Sequence, residues 1–237
     1  MTTVKGSIQA INNRLINLWE NNTVTSLVPM FYPEPVLRSI LFIGINPSFN
    51  AKAIMRDLKN EPKAFSSVEE IEAFYKNDRN TIERKVSRLQ AIQSSHRKHL
   101  TYFEKHRQLA KRLKNHPWEQ IDLFQIRESI QIKLLNRLNL SDPFFAAQID
   151  IFFELINIIE PKAIIVLNKA SSDFLKKYFF QRDPLFSPLN SESDQYQLNL
   201  NEKMIPVMFS IHTQYKKIHE RLEIEQRIIE FVNGIKY

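Results

Sequence analysis

The chain has 237 residues, 43% of them hydrophobic, and this length favours one large domain with a sizeable core. It has no cysteine, which excludes disulfides, thiolate metal sites, cysteine nucleophiles and iron-sulfur clusters. The formal net charge of +7 favours polyanionic partners such as nucleic acid.

The first predicted element is an amphipathic helix within residues 8–27, where apolar residues recur at close to helical spacing. After a proline-rich link, the apolar run at 38–45 predicts a buried strand that stops at the turn Asn46-Pro47. The charged stretch at about 51–116 has a helical pattern and no glycine. It predicts a helical insertion.

Three further apolar runs, at 119–126, 162–168 and 205–211, predict buried strands. Helices are predicted at 146–159, at 173–180 with Ser171 or Ser172 as cap, and at 220–232. Residues 181–192 form a predicted polar loop and 196–200 a possible edge strand. The pattern predicts an α/β fold, a three-layer α/β/α sandwich with a central, mainly parallel four-stranded sheet, as a single domain over 1–237.

Polar side chains follow each predicted core strand: Asn46, Gln125, Asn168 and His212. Ligand sites of open parallel sheets collect at the carboxyl ends of strands, so these residues are the candidates for a site. All four can hydrogen-bond a base or a sugar, and none is a carboxylate.

The segment Ile43-Gly44-Ile45-Asn46-Pro47 resembles the first motif of the uracil-DNA glycosylase superfamily, above all the Gly-Ile-Asn-Pro form of its mismatch-specific uracil or thymine branch. His212 stands where the second motif of that superfamily begins, and residues 161–167 resemble its third strand. The resemblance implies the superfamily fold and a DNA glycosylase, which flips a damaged or mispaired, uracil-type base and hydrolyses its N-glycosidic bond.

The resemblance also implies roles for individual residues. Asn46 positions water near the anomeric carbon, and His212 donates a hydrogen bond to the departing base. No metal or other cofactor is implied. The implied substrate contacts are Gly44, Ile45, Pro47, Ser48, Phe49, Gln125 and Asn168, and the implied DNA contacts are Thr213, Gln214, Tyr215 and Lys216.

Other interpretations stay open. Gly44 to Pro47 also fits an ordinary turn, and the basic residues between 85 and 114 fit solvated helix faces. The alternative functions are a non-catalytic nucleic-acid-binding or interaction protein and an enzyme acting on a free nucleoside or a small metabolite. A metal site at His96, His99 and His106 is disfavoured, because no carboxylate or cysteine partner is evident.

The location of the protein is also predicted. The N-terminal residues lack the apolar stretch of a signal peptide, and no run approaches the roughly 20 apolar residues of a membrane span. We expect a cytoplasmic protein with DNA as partner, no membrane contact and, most simply, a monomeric state.

Overall fold

The structure is a computed structural model that describes residues 3–22, 24–58, 65–78, 81–114, 116–180, 185–190, 194–210 and 217–235. Its contacts divide the chain into two compact units. The first, here called the helical unit, comprises residues 1–35, 46–105 and 124–151. The second, the sheet unit, comprises residues 36–45, 106–123 and 152–237. The single domain over 1–237 stays a prediction.

The helices of the described residues include most of those that the sequence predicts. In chain order they are α1 (Val4–Glu20), α2 (Ala51–Leu58), α3 (Val68–Tyr75), α4 (Ile82–His99), a 3₁₀ turn (Thr101–Phe103), α5 (Glu104–Arg112), α6 (Gln131–Arg137), α7 (Pro143–Ile159), α8 (Lys169–Phe179) and α9 (Ile218–Gly234). The region predicted to be helical at 51–116 accordingly holds α2 to α5.

The strands are β1 (Ile40–Gly44), β2 (Trp118–Asp122), β3 (Ala163–Val166), β4 (Phe186–Asn190), β5 (Gln195–Leu200) and β6 (Lys203–Phe209). They form one mixed sheet in the order β2-β1-β3-β6-β5-β4. The first four strands of this order are parallel, and β5 and β4 continue the sheet antiparallel. The α/β class is confirmed, and the prediction of a four-stranded sheet is wrong by these two strands.

β1 is an interior strand of the sheet, between β2 and β3. All five of its residues are buried, so neither face of this strand meets solvent. On one face, Ile40 and Phe42 belong to a core cluster with Leu109 of α5 and with Ile228 and Phe231 of α9. A continuous apolar run is the pattern that such doubly covered strands require.

The first helix has one apolar face. Ile8, Ile11, Leu15 and Trp19 are buried along it, and the Trp19 indole N–H donates to the carbonyl of Leu27 at 2.9 Å. The predicted amphipathic helix is confirmed, although it ends at Glu20 and not near residue 27. None of the helices in the described ranges combines the length and apolar character needed to cross a lipid bilayer.

The turn between β5 and β6 has a backbone conformation that is unfavourable for residues other than glycine, and a substitution can remove this cost. Leu200 pairs with Lys203, and the two residues between them have positive φ angles, 49° at Asn201 and 64° at Glu202. Two-residue hairpin loops of this kind prefer the sequence Asn-Gly. We expect Glu202→Gly to raise the free energy of unfolding by about 1 kcal/mol, measured by urea denaturation.

Glu202→Ala is the matched control, because it removes the same exposed carboxylate but keeps a Cβ atom. An equal gain in both variants would assign the effect to charge and contradict the conformational explanation.

Candidate functional site

Gly44 ends β1 in the sheet unit, and its register partner on β2 is Asp122. A methyl group built on Gly44 would lie 2.1 Å from Oδ1 and 3.3 Å from Cγ of Asp122. Asp122 is only 4% exposed, so its carboxylate has little room to move away. Packing against Asp122 therefore requires a glycine here, a reason that the sequence does not reveal. Ile45, the next residue, is buried.

The position of Asp122 also shows that the prediction of no carboxylate at the strand ends is wrong. The second core strand ends at Asp122 and not near residue 126, so a carboxylate does stand at the carboxyl end of a core strand. The error arose because the chain stays apolar and buried beyond β2, through Leu123, Phe124 and Ile126. An apolar run alone does not separate a strand from a buried loop.

The side-chain amide of Asn46, in the helical unit, is fixed by backbone carbonyls. Its Nδ2 donates to the oxygens of Pro47 at 3.1 Å, Ile126 at 3.3 Å and Glu128 at 2.8 Å. The Glu128 N–H donates in return to the Pro47 oxygen at 3.2 Å. With the nitrogen so placed, Oδ1 faces away from these carbonyls, and it has no hydrogen-bond partner within the described part of the chain. Asn46 therefore offers an acceptor of fixed direction.

Phe49 is also hydrogen-bonded to the loop at residues 126–129, which contacts Asn46. Its N–H donates to Ser129 Oγ at 3.3 Å, and the Ser129 hydroxyl donates to the Phe49 carbonyl. The Phe49 ring packs on Tyr75 with centroids 4.9 Å apart, so Tyr75 covers part of the ring that the resemblance assigns to base stacking. Ser48 between these anchors is exposed, and Pro47 is half-buried.

Gln125 lies in the interior of the helical unit and not at a strand end. The residue is 0% exposed, and its carbonyl accepts from the Met30 N–H at 2.9 Å. Gln148 Oε1 accepts from the backbone N–H of Gln125 at 2.8 Å and of Ile126 at 3.1 Å. These bonds fix the backbone of the loop, and a contact between Gln125 and a base stays a prediction.

Asn168 caps α8 in the sheet unit. Its Oδ1 accepts from the Ser171 N–H at 3.2 Å, and its extended backbone is typical of a helix N-cap. The prediction of Ser171 or Ser172 as the cap is wrong, because both residues lie within the first turn or two of the helix. The hydrogen bond from the Ser171 N–H gives Asn168 a structural role, and its contact with a ligand stays a prediction.

The second predicted motif lies outside the described residues. β6 ends at Phe209, and the Ser210 N–H donates to the Val166 carbonyl at 2.9 Å. Residues 211–216 follow, and they include His212 together with Thr213, Gln214, Tyr215 and Lys216. The catalytic role of His212 and the DNA contacts of the next four residues stay predictions.

A buried polar cluster in the helical unit was missed by the sequence analysis. Tyr75 is 0% exposed, Arg127 5% and His96 6%. The Arg127 guanidinium carbon lies 4.9 Å from the centroid of the Tyr75 ring. One signal was present in the sequence: His96 continues the buried face of α4, four residues after Ile92.

The electrostatics of this cluster follow from its burial. Loss of hydration, reinforced by the charge of Arg127, lowers the pKa of His96 from 6.5 to about 3, against a smaller opposing effect of Asp57. His96 is therefore neutral at pH 7. Burial raises the pKa of the Tyr75 hydroxyl, which Arg127 and Arg88 oppose.

The histidines do not support a metal centre. His96 and His106 are buried, which corrects their interpretation as members of a solvated face. The His106 ring lies against Trp118, with centroids 5.7 Å apart, and contacts the edge of Phe42. Within the described ranges, no group of three histidine or carboxylate side chains has the arrangement that could hold a metal ion.

Comparison with known proteins adds no family assignment: no protein-family model matches the chain, and no curated protein is significantly similar to it.

Proposed function

We propose that the chain is a DNA glycosylase-like protein that hydrolyses the N-glycosidic bond of a damaged or mispaired, uracil-type base by base flipping. The observation that carries the proposal is the fixed amide of Asn46. Because three carbonyls occupy its Nδ2, only the Oδ1 acceptor is available to a ligand.

Such an acceptor suits one step of N-glycoside hydrolysis. Bond cleavage passes through an oxocarbenium-like sugar, which water then attacks at the anomeric carbon. A fixed Oδ1 accepts one O–H of that water and leaves an oxygen lone pair directed elsewhere. An amide does not take up the proton, so the expected reaction is slow compared with that of a carboxylate base.

The fold supports the proposal in outline. Four parallel strands lie in the order β2-β1-β3-β6, and the proposed motif follows the second strand of this order. The three-layer sandwich of the superfamily is part of the proposal. Within it, His212 donates a hydrogen bond to the departing base.

DNA is the proposed partner, and the net charge of +7 supports it. The basic residues between 85 and 114 divide into two groups. Lys85 donates to the Lys76 carbonyl at 2.9 Å, and Arg112 pairs with Glu225, so these two serve the fold. Exposed cations of the region include Lys98, Lys111 and Lys114, and they are the proposed phosphate contacts.

A panel of oligonucleotides tests the activity. Single and double strands carrying uracil, hypoxanthine, xanthine or a thymine mismatch are incubated with the protein, and abasic sites are detected by alkaline cleavage. We expect an abasic product from a uracil-type substrate without added metal. The complete absence of product from all of these strands would contradict the enzymatic proposal.

Asn46→Ala is expected to lower the single-turnover rate on the best substrate about 100-fold, because the water loses its fixed acceptor. Asn50→Ala is the matched control. Asn50 is an asparagine of the same loop whose Oδ1 caps the Ala53 N–H at 3.0 Å. Thermal unfolding of both variants separates loss of chemistry from loss of folding, and an equal rate loss in the two would remove Asn46 from the mechanism.

One observation favours a second function. The hydrogen bonds of the Asn46 amide also have a purely structural use, since they join residues 46–47 to residues 126–128. A non-catalytic nucleic-acid-binding protein would keep this role. It predicts that Asn46→Ala leaves DNA affinity unchanged, while Lys98→Glu weakens binding and reduces its salt dependence.

A further inference from the structure

Two exposed isoleucines stand together in the helical unit. Among the described residues of this unit, the large apolar side chains exposed to solvent are Tyr102 at 42%, Ile130 at 47% and Ile132 at 59%. Ile130 is the N-cap of α6, so both isoleucines lie in the turn where that helix begins. A single exposed apolar residue is common on protein surfaces, but two in one turn beside a candidate site need an explanation.

Hydrogen bonds join this turn to the loop that carries Asn46. Asn46 Nδ2 donates to the Glu128 carbonyl at 2.8 Å, and the Phe49 N–H donates to Ser129 Oγ at 3.3 Å. Glu128 and Ser129 directly precede Ile130 in the chain. The isoleucines therefore begin one residue after the groups that bind the candidate loop.

The turn is also held from its other side. The Glu128 carboxylate accepts from the Ile130 N–H at 3.1 Å and from the Arg137 guanidinium at 3.1 Å. Arg137 donates in addition to the Val24 carbonyl at 3.2 Å, and Leu134 anchors α6 with 0% exposure. The isoleucines thus project from a rigid base, so that little further ordering is needed for them to bind.

The charge of the two joined segments, 46–52 and 128–133, is positive. Their one acidic residue is Glu128, which Arg137 neutralises. Lys52 and Lys133 are exposed, and neither ammonium group makes an ion pair within the part of the chain that the structure describes. Exposed aliphatic side chains together with unpaired cations suit a partner that is both stacked and anionic, which is the chemistry of DNA.

We propose that Ile130 and Ile132 form an apolar wedge that enters the base stack of DNA next to the nucleotide bound at Asn46. This role rests on the proposed function, because a base leaves the duplex only at the cost of its stacking and pairing. Aliphatic side chains in the vacated space replace part of the lost contacts. Lys52 and Lys133 contact neighbouring phosphates.

The wedge is tested with two duplexes of the same sequence, one fully paired and one with a stable abasic-site analogue in place of a nucleotide. Fluorescence anisotropy gives the Kd of each duplex, and we expect the wild type to prefer the duplex with the gap. Combined Ile130→Ala and Ile132→Ala substitutions should reduce this preference about tenfold, with the affinity for the paired duplex unchanged. Both side chains are exposed, so thermal unfolding should show the variant to be as stable as the wild type.

Ile218→Ala is the matched control, because it truncates the same type of side chain at a more exposed position, 70%, in α9. It should keep the preference of the wild type. Lys133→Gln should weaken the binding of both duplexes equally and reduce its salt dependence. Loss of the preference in Lys133→Gln but not in the isoleucine variant would assign the discrimination to charge and overturn the proposal.

A 2-aminopurine base beside the gap reports insertion directly, because its fluorescence rises when it is unstacked. We expect an increase with the wild type and with Ile218→Ala but not with the isoleucine variant. If the wild type has no preference for the gapped duplex, or if the isoleucine variant matches it in both measurements, the wedge is disproved. A change from dimer to monomer in the isoleucine variant, with DNA binding unaltered, would assign the turn to a contact between copies of the chain and also overturn the proposal.

These measurements use a DNA that has no base to excise, so their outcome is separate from that of the excision assay. Excision that persists unchanged in the isoleucine variant, with no loss of preference, would leave the glycosylase and remove the wedge. Loss of preference and of the fluorescence increase in that variant, from a wild type that excises nothing, would leave the wedge and remove the glycosylase.

Discussion

Gly44→Ala should lower the free energy of unfolding by about 3 kcal/mol, measured by urea denaturation. The new Cβ atom would lie 2.1 Å from Oδ1 of Asp122, a distance that no packed structure tolerates. Asp122 has a short side chain and is 4% exposed, so relieving the clash means pushing its carboxylate against buried neighbours or moving the backbone of β1 or β2. Neighbouring parallel strands share their hydrogen bonds, and the strain should therefore spread along the sheet.

Gly234→Ala is the control at a second glycine. A methyl group there would meet no atom within 4 Å, and the position ends α9, so alanine should be neutral or stabilising. A double variant tests the cause directly: in an Asp122→Ala background, Gly44→Ala should cost much less than in the wild type. The same cost in both backgrounds would show that Asp122 is not the obstacle.

The sequence predicted the parts of the fold that depend on continuous apolar runs. β1 and β3 are such runs and are buried at every position, whereas β6 is mostly buried only from Ile205 to Phe209. β4 and β5 are not continuous apolar runs, so this criterion did not identify them as core strands. Residues of β4 were predicted as part of a polar loop, and most of β5 was predicted as an edge strand. β4 has one buried residue out of five, so its segment has the composition of a loop, and only its pairing with β5 makes it a strand.

The candidate site was predictable only in part, because the order of residues along the chain does not show which of them are neighbours in space. Asn46 was singled out from the strand and turn before it, but its bonds to Ile126 and Glu128 join residues about 80 positions apart. Likewise, the sequence has only 3 glycines, and Gly44 is the one that lies far from the termini, but the reason for a glycine there, Asp122 on the adjacent strand, depends on strand register. Long-range pairing was the missing information.

The buried cluster shows the same limit. His96 fitted a basic, solvated helix in the sequence because Arg97, Lys98 and His99 follow it directly. Only the helical period places it on the buried face with Leu89 and Ile92. Arg127, whose charge acts on His96, comes from a distant loop, and an arginine in a loop gives no sign of being 5% exposed.

Because His96 is buried, we expect a second large effect: the protein loses stability in acid. Its pKa in the folded protein is about 3, below the ordinary value of 6.5. The unfolded chain therefore binds a proton at His96 below about pH 6.5 that the folded protein does not bind until about pH 3. The contribution to stability is complete above that window and is lost as the pH falls through it. Between pH 7 and pH 4.5 we expect a loss of about 3 kcal/mol from this residue.

Urea denaturation of the wild type, His96→Gln and His96→Leu across this pH range isolates the effect. The two variants have different stabilities at neutral pH, but neither has a titrating group at this position, so both should show the same, shallower decline. Carboxylates with a lowered pKa, such as Asp57, lose stability in acid in all three proteins and cancel in the comparison. Identical slopes in the wild type and in both variants would mean that His96 takes up its proton in the folded protein, and that the interior around Arg127 is open to water.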